Sequence, residues 1–80
     1  MKQWLRRGEL AKVLETTVPT IKYYTNTGLL IVQKKTDHGQ YLYDLEQSRQ
    51  RFSRIKELKE KRFTIQEIKD RLQIDILLED

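Results

Sequence analysis

The sequence predicts a mostly α-helical domain of about four helices with one two-stranded β-hairpin in its middle. Three observations carry that expectation. Apolar residues recur at helical spacing in four separate segments. Two short runs, residues 31–35 and 40–43, alternate loosely around a glycine-containing turn, as a hairpin does. Helix start and stop signals punctuate the chain at Thr17, Gly28 and Thr64. Eighty residues make one small core and leave no room for a second.

From Gly8 to Leu14, the residues Leu10, Ala11, Val13 and Leu14 cover one side of a short helix, which stops at the polar break Glu15-Thr16-Thr17. Thr17 is a good N-cap, and Pro19 falls in the first turn, where its missing N–H is no loss. At 100° per residue, Val18, Ile21, Tyr24 and Thr25 point inward. Pro19, Thr20, Tyr23 and Asn26 lie opposite, with Lys22 at the border. Neighbouring tyrosines cannot both enter one core, so Tyr24 packs and Tyr23 faces out. Gly28 ends this helix as a residue tolerant of positive φ, and Leu29 and Leu30 fold back onto the core.

The hairpin follows, with His38 at its exposed tip. Asp44, with Gln47 at N3, opens a long helix whose apolar positions Leu45, Phe52, Ile55 and Leu58 recur to about Lys61. Thr64 and Glu67 form a capping box, flanked by the hydrophobic staple Phe63–Ile68, and start a last helix expected to run through Leu72. Ile74, Ile76, Leu77 and Leu78 remain as an apolar stub, expected to pack back onto the domain or to contact a second copy. Two short helices joined by three residues are a helix-turn-helix, and a hairpin directly after them is a wing. Residues 1–72 therefore read as a winged helix-turn-helix domain, and residues 73–80 as an apolar and acidic C-terminal stub, the start of a dimerisation helix.

Composition narrows the function. Through Arg62 there are 14 Lys/Arg against 7 Asp/Glu, and beyond it 2 against 5, so a basic body carries an acidic end, as suits a polyanionic partner. The chain has no cysteine, hence neither a disulfide scaffold nor a thiolate metal site. Its apolar runs are too short for a membrane span or a secretory signal, so a cytoplasmic setting without membrane contact is expected. One histidine and no glycine-rich phosphate loop give no basis for an enzyme, a cofactor or a metal site.

Thr17, Thr20, Lys22, Tyr23 and Asn26 share the outer side of the second helix, and Lys34 and Lys35 follow on the hairpin. Lysine neutralises phosphate, tyrosine and threonine hydroxyls bond phosphate oxygens, and asparagine pairs with an adenine edge in the major groove. Double-stranded DNA is the partner this chemistry fits, with Tyr23 on a phosphate and Pro19, Thr20 and Asn26 toward the bases.

The order Gly8-Glu9-Leu10-Ala11-Lys12, Thr20-Ile21-Lys22-Tyr23-Tyr24, Gly28-Leu29-Leu30, Gly39-x-x-Leu42-Tyr43 and Phe63-Thr64-Ile65-x-Glu67-Ile68 resembles the DNA-binding domain of the mercury-resistance-regulator (MerR) family of bacterial transcription regulators. The resemblance runs from about Gly8 to Leu72. It implies a second helix in the major groove and a wing on the neighbouring backbone. Lys22 is then the basic residue before the tyrosine pair, Tyr23 the phosphate-binding tyrosine, and Lys34 and Lys35 the basic pair of the wing. It also implies a nucleoid-associated regulator acting as a homodimer or cooperative assembly, with RNA polymerase as a further partner.

The chain departs from the family pattern in several places. Glu15 stands where a glycine is usual in the turn, Pro19 where an arginine often begins the recognition helix, and Tyr41 where the wing usually has arginine, which makes Tyr41 a hydroxyl contact in place of a cationic one. Ile31-Val32 replaces a proline pair, and the helix after Tyr43 is one residue longer. Two other roles suit the same scaffold: an excisionase-like or architectural factor working with a recombinase, and a protein-interaction module without DNA contact.

Overall fold

The computed structural model describes residues 2–78. Its elements are β1 (Trp4–Arg6), α1 (Arg7–Val13), α2 (Val18–Asn26), β2 (Lys34–Lys35), β3 (Tyr41–Asp44), α3 (Leu45–Glu60) and α4 (Ile65–Leu78). The winged helix-turn-helix architecture with four helices is present, and the hairpin is β2–β3. One element was not expected. β1 joins β3 in antiparallel pairing, making a three-stranded sheet in the order β1-β3-β2. Leu5 lies opposite Tyr43 in that ladder, and both are buried.

The helices start and stop for local reasons. The Thr17 hydroxyl accepts the Thr20 N–H at 3.3 Å, and Pro19 sits in the first turn of α2. Thr64 and Glu67 make both bonds of a capping box: the Glu67 N–H donates to the Thr64 hydroxyl at 3.2 Å, and the Thr64 N–H to the Glu67 carboxylate at 2.8 Å. The α2 terminus is a Schellman motif, with Leu29 N–H donating to Tyr24 C=O and Gly28 N–H to Thr25 C=O around Gly28 at φ +85°. The same two bonds end α1, through Thr16 to Ala11 and Glu15 to Lys12, and α3, through Phe63 to Leu58 and Arg62 to Lys59. There the left-handed residues are Glu15 at φ 56° and Arg62 at φ 64°. In the hairpin, Gly39 at φ +79° closes a three-residue loop between Thr36 and Gln40, as a type I turn with a bulge requires.

The core lies between the sheet's inner face and the four helices, centred on Leu10, Ile21, Tyr24, Leu29, Tyr43, Ile55 and Ile68. Full burial of each Leu or Ile in it contributes about 1.5–3 kcal/mol. Several expectations need correction. Val18 is 38% exposed and Val13 45%, so neither joins the core. Asp44 takes the N-cap position of α3 but its side chain caps nothing, and its Oδ1 is buried without a hydrogen-bond partner. It is still the last residue of β3, opposite Trp4, so the pleat of the strand aims its carboxylate. Gln47 does not complete a box there; it accepts a bond from Gln33 at 2.6 Å. Helix α4 continues past Leu72 to Leu78, and Ile74 on it is 47% exposed. The side chains of Ile76, Leu77 and Leu78 lie outside the described residues.

Candidate nucleic-acid interface

Helix α2 is held by one side and displays the other. Ile21 and Tyr24 are buried, and the Thr25 hydroxyl bonds both the Ile21 carbonyl and the Tyr43 hydroxyl at 2.7 Å. That second bond ties α2 to β3. Tyr24 is anchored further by Lys59, which donates to its hydroxyl at 3.2 Å, and by Phe52, whose ring centroid is 6.0 Å away. Tyr23 stacks obliquely on Tyr24 at 5.9 Å and is 51% exposed, so its hydroxyl end points to solvent from a fixed base. Arg51 donates from Nε to the Leu29 carbonyl at 2.7 Å and pins the turn after Gly28 to α3. Partial burial lowers the pKa of that guanidinium from its ordinary value.

The other residues singled out on α2 sit as follows. Pro19, Lys22 and Asn26 are exposed. Thr17 is exposed and Thr20 half-buried, and their hydroxyls bond each other at 2.9 Å, so both are partly engaged in the helix cap. On the wing, Lys34 and Lys35 are exposed and Tyr41 is half-buried directly across from Lys35. A groove between α2 and the wing is lined by Thr25, Gln33, Lys34, Lys35 and Tyr41. Among the described residues, the salt bridges that Glu57 makes with Arg54 and Lys61 leave Lys22, Lys34 and Lys35 without a carboxylate partner.

Sequence reasoning missed Trp4, Lys2 and Arg7. The Lys34 ammonium lies 4.4 Å from the Trp4 ring centre, and the Arg7 guanidinium 5.5 Å from that of Tyr41. The period-two spacing of Lys2 and Trp4 hinted at a strand, but three residues are too few to show one. Among the described residues, no group of three or more His, Cys, Asp or Glu could hold a metal, and no helix is long and apolar enough to cross a membrane.

A family model described as "MerR HTH family regulatory protein" matches residues 5–74. The chain belongs to the MerR family. Among MerR relatives, nodulation protein NolA of Bradyrhizobium sp. (strain NC92) is 44% identical over 68 residues, 85% of this chain and 28% of that protein. NolA of Bradyrhizobium elkanii is 40% identical over 72 residues, 90% of this chain and 32% of its own length. The chain thus spans about a third or less of the curated relatives it matches. A MerR-family transcriptional regulator from Bacillus cereus, known from its crystal structure, superposes with a TM-score of 0.74 at 27% identity, covering 98% of this chain and 55% of that one. HiNmlR, a MerR-family regulator lacking the sensor domain, crystallised bound to promoter DNA, shares the fold with a TM-score of 0.78 at 19% identity, covering 98% of this chain and 61% of that one.

Proposed function

We propose that this MerR domain is a sequence-specific double-stranded DNA-binding module of a transcription regulator, with α2 in the major groove and the β2–β3 wing on the phosphate backbone. One observation carries the reading. The face of α2 that bears Pro19, Lys22, Tyr23 and Asn26 stays open while its opposite face is locked into the core, and the hairpin beside it presents two lysines with no carboxylate partner among the described residues. A structural neighbour of the same fold was crystallised bound to promoter DNA, which supports DNA as the partner. Lys22, Lys34 and Lys35 would neutralise phosphates, and Tyr23 would donate to a phosphate oxygen from its stacked base. Asn26 has the donor and acceptor pair for an adenine edge, Pro19 offers apolar contact, and the Thr17 and Thr20 hydroxyls and that of Tyr41 reach backbone or base edges from the rim.

One winged helix reads few base pairs. At about 1–3 kcal/mol per base contact, a single copy barely discriminates among the sites of a bacterial genome, so the module would act as a homodimer or as neighbouring copies on DNA. Residues 73–78, on the continuation of α4, would supply part of the pairing segment.

The test is selection of duplexes from a randomised library, followed by titration of labelled winners and of random duplex across a salt series. Tyr23→Phe and Lys22→Ala are expected to weaken binding to every sequence, and the lysine change to flatten the salt slope by about 0.9. Wild-type affinity in both variants would refute this assignment of the recognition face.

A further inference from the structure

Each lysine of β2 rests against an aromatic ring, and the two rings lie on opposite faces of the sheet. Trp4 pairs with Asp44, and Lys34 pairs with Leu42, so strand alternation places Trp4 and Lys34 on one face. Lys35 and Tyr41 form a direct pair on the other, the face that carries Leu5 and Tyr43. The ammonium-to-centroid distances are 4.4 Å for Lys34 over Trp4 and 5.2 Å for Lys35 over Tyr41, both within cation–π range.

Each ring also carries a second cation, and both come from outside the hairpin. Lys2 lies 5.8 Å from the Trp4 centroid and the Arg7 guanidinium 5.5 Å from that of Tyr41. Two like charges sharing one ring repel, and none of the four forms a salt bridge among the described residues. The Arg7 Nε is buried without a hydrogen-bond partner, so no internal acceptor explains why that guanidinium is held there. An anion between the paired cations relieves the repulsion. Lys35 and Tyr41 of one stack and Lys34 of the other line the groove shared with α2, so the anion in reach is the backbone of the same duplex that α2 engages.

We propose that Lys2–Trp4–Lys34 and Arg7–Tyr41–Lys35 are two phosphate-binding stacks, in which Lys2 and Arg7 are additional DNA contacts and Trp4 and Tyr41 are positioning residues. This rests on the DNA-binding reading above and deepens it: the grip of the wing is built jointly with the strand before the first helix. Holding a lysine over a ring removes part of the rotamer freedom it would otherwise lose on binding.

The experiment is anisotropy titration of a labelled random-sequence duplex between about 50 and 200 mM salt, with folding of each variant checked by circular dichroism. Arg7→Gln and Lys2→Gln are each expected to flatten the slope of log affinity against log salt by about 0.9, and Arg7→Lys to retain it. Trp4→Leu and Tyr41→Leu are expected to weaken binding about two- to fivefold, with Trp4→Phe close to wild type, because a ring of either kind holds the cation. Trp4 is the single tryptophan, so its emission should change as duplex saturates the protein. Wild-type affinity and slope in Arg7→Gln and Lys2→Gln, alongside weakened binding by Lys22→Ala, would overturn the stacks and leave the proposed function standing. Failure of the wild-type chain to bind duplex at low salt would overturn both.

Discussion

Replacing Glu15 by glycine is expected to stabilise the domain. Three helices end in the same pair of Schellman hydrogen bonds, yet only α2 places a glycine at the left-handed position. Glu15 holds φ 56° with a Cβ, a conformation costing an L-residue about 1–2 kcal/mol. Glycine removes that cost but returns about 0.4–1 kcal/mol through the greater freedom of the unfolded chain. At the midpoints of the two ranges the difference is a gain of about 0.8 kcal/mol. No hydrogen bond or salt bridge of the Glu15 side chain opposes it among the described residues, and its backbone bond to Lys12 is kept. For a domain of this size the gain corresponds to a rise in Tm of about 2–8 °C, readable by circular dichroism or calorimetry. Arg62→Gly, at φ 64°, should behave alike. Gly28→Ala is the reverse experiment, expected to cost about 1 kcal/mol through its backbone. The nearest atom to the added Cβ, Lys69 Cε at 3.1 Å, is the far end of a flexible side chain and can move away. A Glu15→Gly variant that melts at or below the wild type would refute the reasoning.

Other perturbations have defined outcomes. Thr17→Ala removes the acceptor for the Thr20 N–H and should destabilise the start of α2 by about 1 kcal/mol, measured by denaturant midpoint. Tyr43→Phe deletes the hydroxyl that links β3 to Thr25 and should cost about 1 kcal/mol, with the Thr25–Ile21 bond surviving. The Thr64 backbone N–H, and then its hydroxyl, hold the Glu67 carboxyl below its ordinary value of 4.5. A depressed folded pKa stabilises above the ordinary value, and that contribution is lost as pH falls through the lower folded one. The Tm advantage of wild type over Glu67→Gln should therefore be constant near neutrality and shrink as the pH is taken below the ordinary value of 4.5; an advantage unchanged by acid would contradict the capping bond.

Much of the scaffold was legible because helix ends are written in neighbouring residues. Thr17 with Pro19, Gly28 with its two following leucines, and Thr64 with Glu67 each satisfy backbone groups within a few positions, so local spacing suffices to find them. The opposite orientations of Tyr23 and Tyr24 follow from 100° per residue alone. Periodicity misled at Val18, whose angular position predicts the core although it is 38% exposed.

The sequence by itself determined the four helices, the hairpin turn at Gly39, the basic body and the polar face of α2, because each is a property of adjacent residues. Only the tertiary structure decided that Trp4–Arg6 is a strand, that Asp44 serves the sheet before the helix, and that Trp4 and Arg7 lie against the wing. Those outcomes depend on pairings between residues about forty positions apart. Such contacts form only after a loop has closed and the core has set the register, and no local pattern of three residues encodes that event.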